Sequence, residues 1–377
     1  MIYKEFKGLK LSALGMGCMR FPCVEGDNAR VDMDAVRELV AYAKGNGINY
    51  FDTAWVYHAG TSESVIGEVL SEYPRESFYL ATKFPGFDNS YMEKKEEIFE
   101  TQLRRCKTDY FDFYLFHNVT EKNIDAFTDE RYGVFDYLIN QKKMGKIRHL
   151  GFSTHGSLAT IKRFLDTYGS ELEFCQLQIN WLDWKLQNAK EKVALVASYG
   201  LPVWVMEPVR GGRIATLAPD EESRLRELRK NATVPEWAFR FIQSIPEVTV
   251  TLSGMSSLEQ LRENVATFST SQPLNERELE VLFKISDEII ERSAVPCTAC
   301  RYCTDACPSG LDIPELIKRY NDSAHFGKAS IPASALDGID EGRRPDACLG
   351  CTQCESLCPQ GIKISSVMRD FAKKLKL

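Results

Sequence analysis

No stretch of about 18 uncharged apolar residues occurs anywhere in this 377-residue chain, so no segment reads as a membrane-spanning helix. The first residues, "MIYKEFKGLKLSALGMG", lack the long apolar run of a secretory signal. Concentrated positive charge is missing too: 47 Lys and Arg stand against 53 Asp and Glu, a formal net charge of -6. Neutralising phosphates needs clustered cations, so neither nucleic acid nor an anionic membrane surface is the expected partner. The expectation is a soluble, unexported, cytoplasmic protein that works on small molecules or with other proteins. There is also no low-complexity linker, no fixed-period repeat beyond two cysteine runs, and no G-x-G-x-x-G opening a helix after a strand, which removes the Rossmann fingerprint.

What is present is enough apolar material, 44%, for one large core and a smaller one. Between about residues 14 and 255, short β-branched or aromatic runs alternate with longer amphipathic stretches. Strands are read at "LGMGCMR", "YFDTA", "FYLATKF", "FDFYLFH", "IRHLGFS", "FCQLQIN", "PVWVMEP" and "VTVTLSG". The segments between them, such as "MDAVRELVAYAKGNG", repeat apolar residues every three or four positions, as helices do. Eight strand-then-helix units predict an α/β fold, a closed (β/α)₈ TIM barrel. "IYKEFKGLKLS" reads as a hairpin turning at Gly8 that would cap the barrel bottom. After the eighth unit "NERELEVLFKISDEIIERS" is a capped amphipathic helix, which places a domain boundary near residue 294: a barrel over 1–294 and a small, mainly helical domain over 295–377.

Eight of the 12 cysteines fall in that second part. Cys18, Cys23, Cys106 and Cys175 are scattered singly and read as inert thiols. Clusters in an unexported chain are read as metal ligands rather than disulfides. Cys297, Cys300, Cys303 and Cys307 precede Pro308, and Cys348, Cys351, Cys354 and Cys358 precede Pro359, both as C-x-x-C-x-x-C-x-x-x-C-P. Three thiolates at that spacing reach three corners of one cubane, while the fourth is turned toward a second cluster. Crossed ligation is therefore expected: one 4Fe-4S cluster on Cys297, Cys300, Cys303 and Cys358, the other on Cys348, Cys351, Cys354 and Cys307. Zinc also uses C-x-x-C pairs, but it does not explain a third and fourth cysteine followed by proline in each run. Forty residues separate the runs and include the helical "LDIPELIKRYND", which makes the module a ferredoxin-like one of larger redox enzymes.

In such a barrel, the C-terminal ends of the strands face the active-site mouth. "YFDTAWVYH" puts Asp52 at one strand end and Tyr57 just beyond it, "ATKF" ends with Lys83 one residue earlier, and "YLFH" ends with His117. A phenol with a free pKa near about 10 needs a cation and a positioned proton path to serve as an acid near neutrality. Lys83 would supply the charge, Asp52 would orient it, and His117 would hydrogen-bond a substrate carbonyl. Alone, each residue is unremarkable; four at successive strand ends form a proton-transfer set.

"GINYFDTAWVYHAGTSESVIGEVL", "YLATKF", "YFDFYLFHNV" and "SGMSSLEQLREN" resemble the aldo-keto reductase superfamily, in its iron-sulfur type with a ferredoxin-like tail, over residues 10 to 270. The resemblance implies that Asp52, Tyr57, Lys83 and His117 are its catalytic tetrad, with Tyr57 donating a proton to a carbonyl as NADPH or NADH delivers hydride. It places Ser153, Thr154 and Gln176 at the nicotinamide amide, Thr154 standing where the family has Asn. Met206 stands where a stacking aromatic is usual. Gly211 and Gly212 would approach the pyrophosphate, and Ser253, Gly254, Ser256 and Ser257, at the start of a helix, suit a phosphate. Glu263 and Asn264 fit the adenine end. Gly254 and Gln260 stand where NADP-preferring members carry Lys and Arg, so the 2'-phosphate lacks its usual partners. His58 and His155 flank the tetrad and read as loop-lining residues.

A nicotinamide moves two electrons at once and a cluster moves one. Coupling the halves would need a flavin, in this chain or a partner, or a substrate that takes single electrons. The expected activity is reduction of an aldehyde or ketone, fused to an electron-transfer module that has a redox protein as a candidate partner. The competing reading is an electron-transfer or docking protein whose barrel does not catalyse that reduction.

Overall fold

The computed structural model describes residues 1–86, 88–292, 295–297, 303–304, 306–324, 331, 333–358 and 360–376. They form two compact units, Met1–Leu282 and Phe283–Leu377. The division falls inside one long helix, Glu276–Arg292. Asn275 and Glu278 start that helix reciprocally: Asn275 Oδ1 accepts from the Glu278 amide at 3.0 Å and Glu278 Oε2 accepts from the Asn275 amide at 2.9 Å.

The first unit opens with an antiparallel hairpin, β1 (Tyr3–Phe6) and β2 (Leu9–Ser12). Its two-residue turn, Lys7 and Gly8, has φ of 48° and 82°, the left-handed pair that matches strand twist. Eight parallel strands follow: β3 (Leu14–Gly17), β4 (Tyr50–Asp52), β5 (Tyr79–Pro85), β6 (Phe111–Val119), β7 (Ile147–Thr154), β8 (Cys175–Gln178), β9 (Val203–Met206) and β10 (Val248–Ser253). They close into a barrel in chain order, with β10 beside β3. All eight coincide with the apolar runs read from the sequence. A parallel strand is covered on both faces, and β6 accordingly has all nine residues buried.

Phe6 and Leu11 of the hairpin join Tyr50, Phe113, Phe174 and Trp204 in one apolar cluster. The Phe6 ring lies 5.1 Å from Trp204 and 5.1 Å from His149, which plugs the barrel at the end where its strands begin. That leaves the opposite end for chemistry.

The second unit is mainly helical. Helices Ile313–Ala324 and Ile364–Leu375 share a core containing Leu316, Ile317, Met368 and Phe371, and Tyr320 donates to Asp370 at 2.5 Å between them. Among the described residues no helix is long and apolar enough to cross a membrane.

Candidate active site

The barrel mouth brings together the four strand-end residues. Lys83 alternates inward on β5 and is fully buried; its Nζ donates to Asp52 Oδ1 at 2.6 Å and to the Thr53 carbonyl at 2.7 Å. The same Nζ sits 5.1 Å from the centre of the Tyr57 ring. Tyr57 meets His117 edge-on, with ring centroids 6.0 Å apart at 81°. Burial drags on the Lys83 ammonium, but Asp52 and Tyr57 together outweigh it and hold its pKa above the usual lysine range. For Tyr57, burial raises the phenol and the Lys83 charge pulls it partway back, leaving it above its ordinary value and protonated at neutral pH. His117 is held well below the usual imidazole range by burial, by Lys83 and by His155, so it is neutral. A protonated phenol and a neutral imidazole side by side can both address one carbonyl oxygen.

The turn that carries Tyr57 is unusual, because His58 and Ala59 have φ of 52° and 51° without being glycine. His58 explains how this is held. Its Nε2 accepts from the Phe21 amide at 3.0 Å, so Nδ1 carries the proton and faces the Asn28 carbonyl at 3.1 Å. Phe21 stacks on the ring at 5.7 Å. His58 thus fastens the loop after β3 to the Tyr57 turn. His155 is half-buried, and burial pulls its imidazole down to about 4, so it too is neutral.

The nicotinamide candidates divide. Ser153 Oγ accepts from the Asn118 amide at 2.9 Å, and the Thr154 hydroxyl donates to the Val119 carbonyl at 2.5 Å. Both therefore stitch β7 to the end of β6. Gln176 is different: its Nε2 reaches the Met206 sulfur at 3.6 Å, while its buried Oε1 has no hydrogen-bond partner among the described residues. An orphaned buried amide oxygen fits the amide N–H of a nicotinamide. Met206, at the end of β9, is half-buried beside it.

Of the phosphate candidates, Gly211 and Gly212 adopt φ of 64° and 92°. Ser257 caps the helix Leu258–Thr267, accepting from the Gln260 amide at 3.3 Å, while Gln260 Oε1 accepts from the Ser256 amide at 2.9 Å. Asn264 is buried and donates to Ser253 Oγ at 3.2 Å, and the Glu263 carboxylate accepts from the Thr233 hydroxyl. Sequence reasoning missed Arg20. Its side chain crosses from one glycine to the other: a Cβ on Gly211 would fall 2.6 Å from its Nη2, and one on Gly254 would fall 3.1 Å from its Cβ. Ser256 Oγ donates to its carbonyl at 2.7 Å and Glu207 lies 3.7 Å from its guanidinium. The signal was an arginine just past the first barrel strand, at the mouth. Asp183 was also missed: fully buried, it accepts from Gln178, Asn180 and Gln187 at 2.7, 2.7 and 3.2 Å and from Arg210 Nε at 3.2 Å, tying together the loops after β8 and β9.

In the second unit, one pocket is lined by Cys307, Cys348, Cys351 and Cys354, so the last cysteine of the first run joins three of the second. Burial first, then the neighbouring Cys348 and Cys307, push the Cys354 thiol up to about 11. The apolar core of this unit includes both Cys303 and Cys354, with Cys297, Cys307, Cys348 and Cys358 packed against that core. Cys300 lies outside the described residues. Among the described residues, no three His, Cys, Asp or Glu side chains are grouped as they would be around a single metal ion.

The sequence matches the aldo/keto reductase family over residues 13–287 and a 4Fe-4S dicluster domain over residues 296–362. It is 26% identical over 313 residues to probable aldo-keto reductase 1 of Glycine max, covering 74% of this chain and 86% of that one. It is 26% identical over 304 residues to the NADH-specific methylglyoxal reductase of Escherichia coli (strain K12), covering 69% of this chain and 91% of that one. The holo form of an aldo-keto reductase from Bacillus halodurans superposes with a TM-score of 0.60 at 26% identity, over 76% of this chain and 96% of that one.

Proposed function

The chain belongs to the aldo/keto reductase family and carries a C-terminal 4Fe-4S dicluster domain, and from that premise we propose that it reduces an aldehyde or ketone to an alcohol with NADH or NADPH. The observation that carries this reading is the buried Asp52–Lys83 pair under the Tyr57 ring, with neutral His117 at its edge. Lys83 stabilises negative charge developing on the Tyr57 oxygen as the phenol gives up its proton to the carbonyl. Asp52 keeps Lys83 charged and aimed, and His117 orients the carbonyl oxygen. When bound, the dinucleotide supplies hydride to the carbonyl carbon. Gln176 would hold its amide, Met206 would pack against the ring, and Gly211, Gly212, Gly254, Ser256 and Arg20 would face its diphosphate.

The clusters would be held by Cys297, Cys300, Cys303 and Cys358, and by Cys307, Cys348, Cys351 and Cys354; they would pass single electrons to or from a redox protein. The shared pocket of Cys307, Cys348, Cys351 and Cys354 supports the crossed pattern. A second reading, in which the clusters work with a partner or flavin and the barrel does not reduce carbonyls, is favoured by one observation. The Ser153 and Thr154 hydroxyls are committed to β6, which leaves Gln176 as the free anchor for a nicotinamide amide.

NAD(P)H consumption with a panel of aldehydes and ketones separates the two readings. Tyr57→Phe should lower it by about 10²- to 10⁴-fold while the fold is kept; an unchanged rate sinks the proton-donor assignment. Anaerobic analysis should find about eight iron and eight sulfide per chain.

A further inference from the structure

Lys83 faces the barrel interior, but the residue before it, Thr82, points outward into a second set of polar contacts that the mechanism above does not use. Glu63, the second residue of helix Ser62–Leu70, is fully buried there. Its Oε1 accepts from Thr82 Oγ1 at 2.7 Å and from Gln102 Nε2 at 2.7 Å. Gln102, on helix Lys95–Arg105 and also fully buried, donates to the Lys83 carbonyl at 3.0 Å, and its own Oε1 accepts from Tyr114 OH at 2.5 Å. The other carboxylate oxygen of Glu63 takes Arg105 at 3.2 Å, and that guanidinium lies 4.0 Å over Trp55, two residues before Tyr57. The neighbouring Ser62 shares a 2.9 Å hydrogen bond with Thr53, next to Asp52. Gly67 permits the close approach, since a Cβ there would fall 2.4 Å from the Arg105 carbonyl.

A carboxylate buried behind the barrel wall is costly unless it is fully bonded. This one is bonded to the strand carrying Lys83, and through Arg105 and Trp55 to the segment carrying Tyr57. Resting on the tetrad reading above, we propose that Glu63 is a positioning residue: with Gln102 and Arg105 it sets the Lys83 backbone and the Tyr57 segment in register, so that Lys83 Nζ meets the Tyr57 ring. The leverage is long. A displacement of Nζ by about 1 Å is enough to cost about a hundredfold in rate.

The test is Glu63→Gln, which keeps volume and an acceptor for Thr82 and Gln102 but turns an N–H₂ toward Arg105. Gln102→Met, which removes the donors to Glu63 and Lys83 at similar volume, is read beside it and alone should Glu63→Gln not fold. Two quantities are measured. One is the ultraviolet titration of Tyr57, as the difference between each protein and its Tyr57→Phe counterpart. The other is kcat and KM against pH for NAD(P)H-dependent carbonyl reduction. With Lys83 displaced the phenol loses its cation, so its titration should move up by about one pH unit, with kcat falling at least tenfold and KM little changed. A phenol titration that stays put in the folded variants, whatever happens to melting temperature, overturns the proposal. Because that titration needs no turnover, a phenol that responds in a protein unable to reduce carbonyls would keep the positioning role and reject the proposed activity.

Discussion

Replacing Lys83 by Met leaves the Asp52 carboxylate, 2% exposed, without the cation bonded to it. At 2.6 Å and an effective dielectric of about 20, the lost attraction is roughly 6 kcal/mol gross. Much of that is offset because Lys83 no longer has to be desolvated, so the net loss at neutral pH should be about 3–5 kcal/mol, the cost of stranding one partner of a buried pair. The sign with pH follows from Asp52. Burial already raises the Asp52 carboxyl above its unfolded value with Lys83 pulling the other way, and removing that cation raises it further. A group raised in this way contributes its stability below the unfolded pKa, near about 4 for Asp, and loses it as pH climbs through the folded one. The variant should therefore lie closest to the parent in acid and fall furthest behind above neutrality. All five tryptophans precede residue 283, so their fluorescence during urea unfolding reports the barrel unit. Adding Asp52→Asn to the variant removes the stranded charge and should recover most of the loss. A deficit below about 1 kcal/mol, or one that does not change between acid and neutral pH, would refute the buried-pair reasoning.

Two further outcomes test other parts of the molecule. Cys307→Ser, if its thiol belongs with Cys348, Cys351 and Cys354, should lower bound iron and sulfide from about eight toward about four per chain, whereas Cys106→Ser should change neither. Gly211→Ala puts a Cβ 2.6 Å from the Arg20 guanidinium at a φ of 64°. It should weaken NAD(P)H binding, followed by quenching of protein fluorescence, more than Gly200→Ala, which has a φ of 74° but open space around its Cβ and a place far from the mouth. Equal effects would detach the Gly211–Arg20 contact from the dinucleotide.

Much of the barrel was legible because its signals are local. An apolar run of β-branched and aromatic residues closed by a turn needs no partner to be recognised, and eight of them leave few architectures. The hairpin was legible from Gly8 for the same reason. That Asp52, Tyr57, Lys83 and His117 come together could be read because the fold rule places strand ends at one mouth, so position along the chain stands in for position in space. Arg20 escaped because its position just past the first barrel strand places it at the mouth but does not show that it lies across two glycines 191 and 234 residues further along the chain. Thr154 was placed at the nicotinamide amide by the resemblance alone, and what the fold adds is that its hydroxyl donates to the Val119 carbonyl on the neighbouring strand. His58 read as a loop residue; only the folded chain supplies the Phe21 amide and the Asn28 carbonyl that hold its ring.

By itself the sequence determined the residue types, their periodicity and the spacing of the cysteines, and these are sufficient for a barrel, a two-cluster tail and a list of groups able to move protons. The tertiary structure decided which of those groups meet. Asp52 and Lys83 are 31 residues apart and share a proton-donating contact of 2.6 Å, and Cys307 lines one pocket with three cysteines from beyond residue 347. Hydrogen bonds and ion pairs act over a few ångströms, whereas the chain that brings their partners together is specified by packing of whole strands and helices. Whether a hydroxyl, a guanidinium or a carboxylate is left free for a ligand is settled last, by the neighbours that packing delivers.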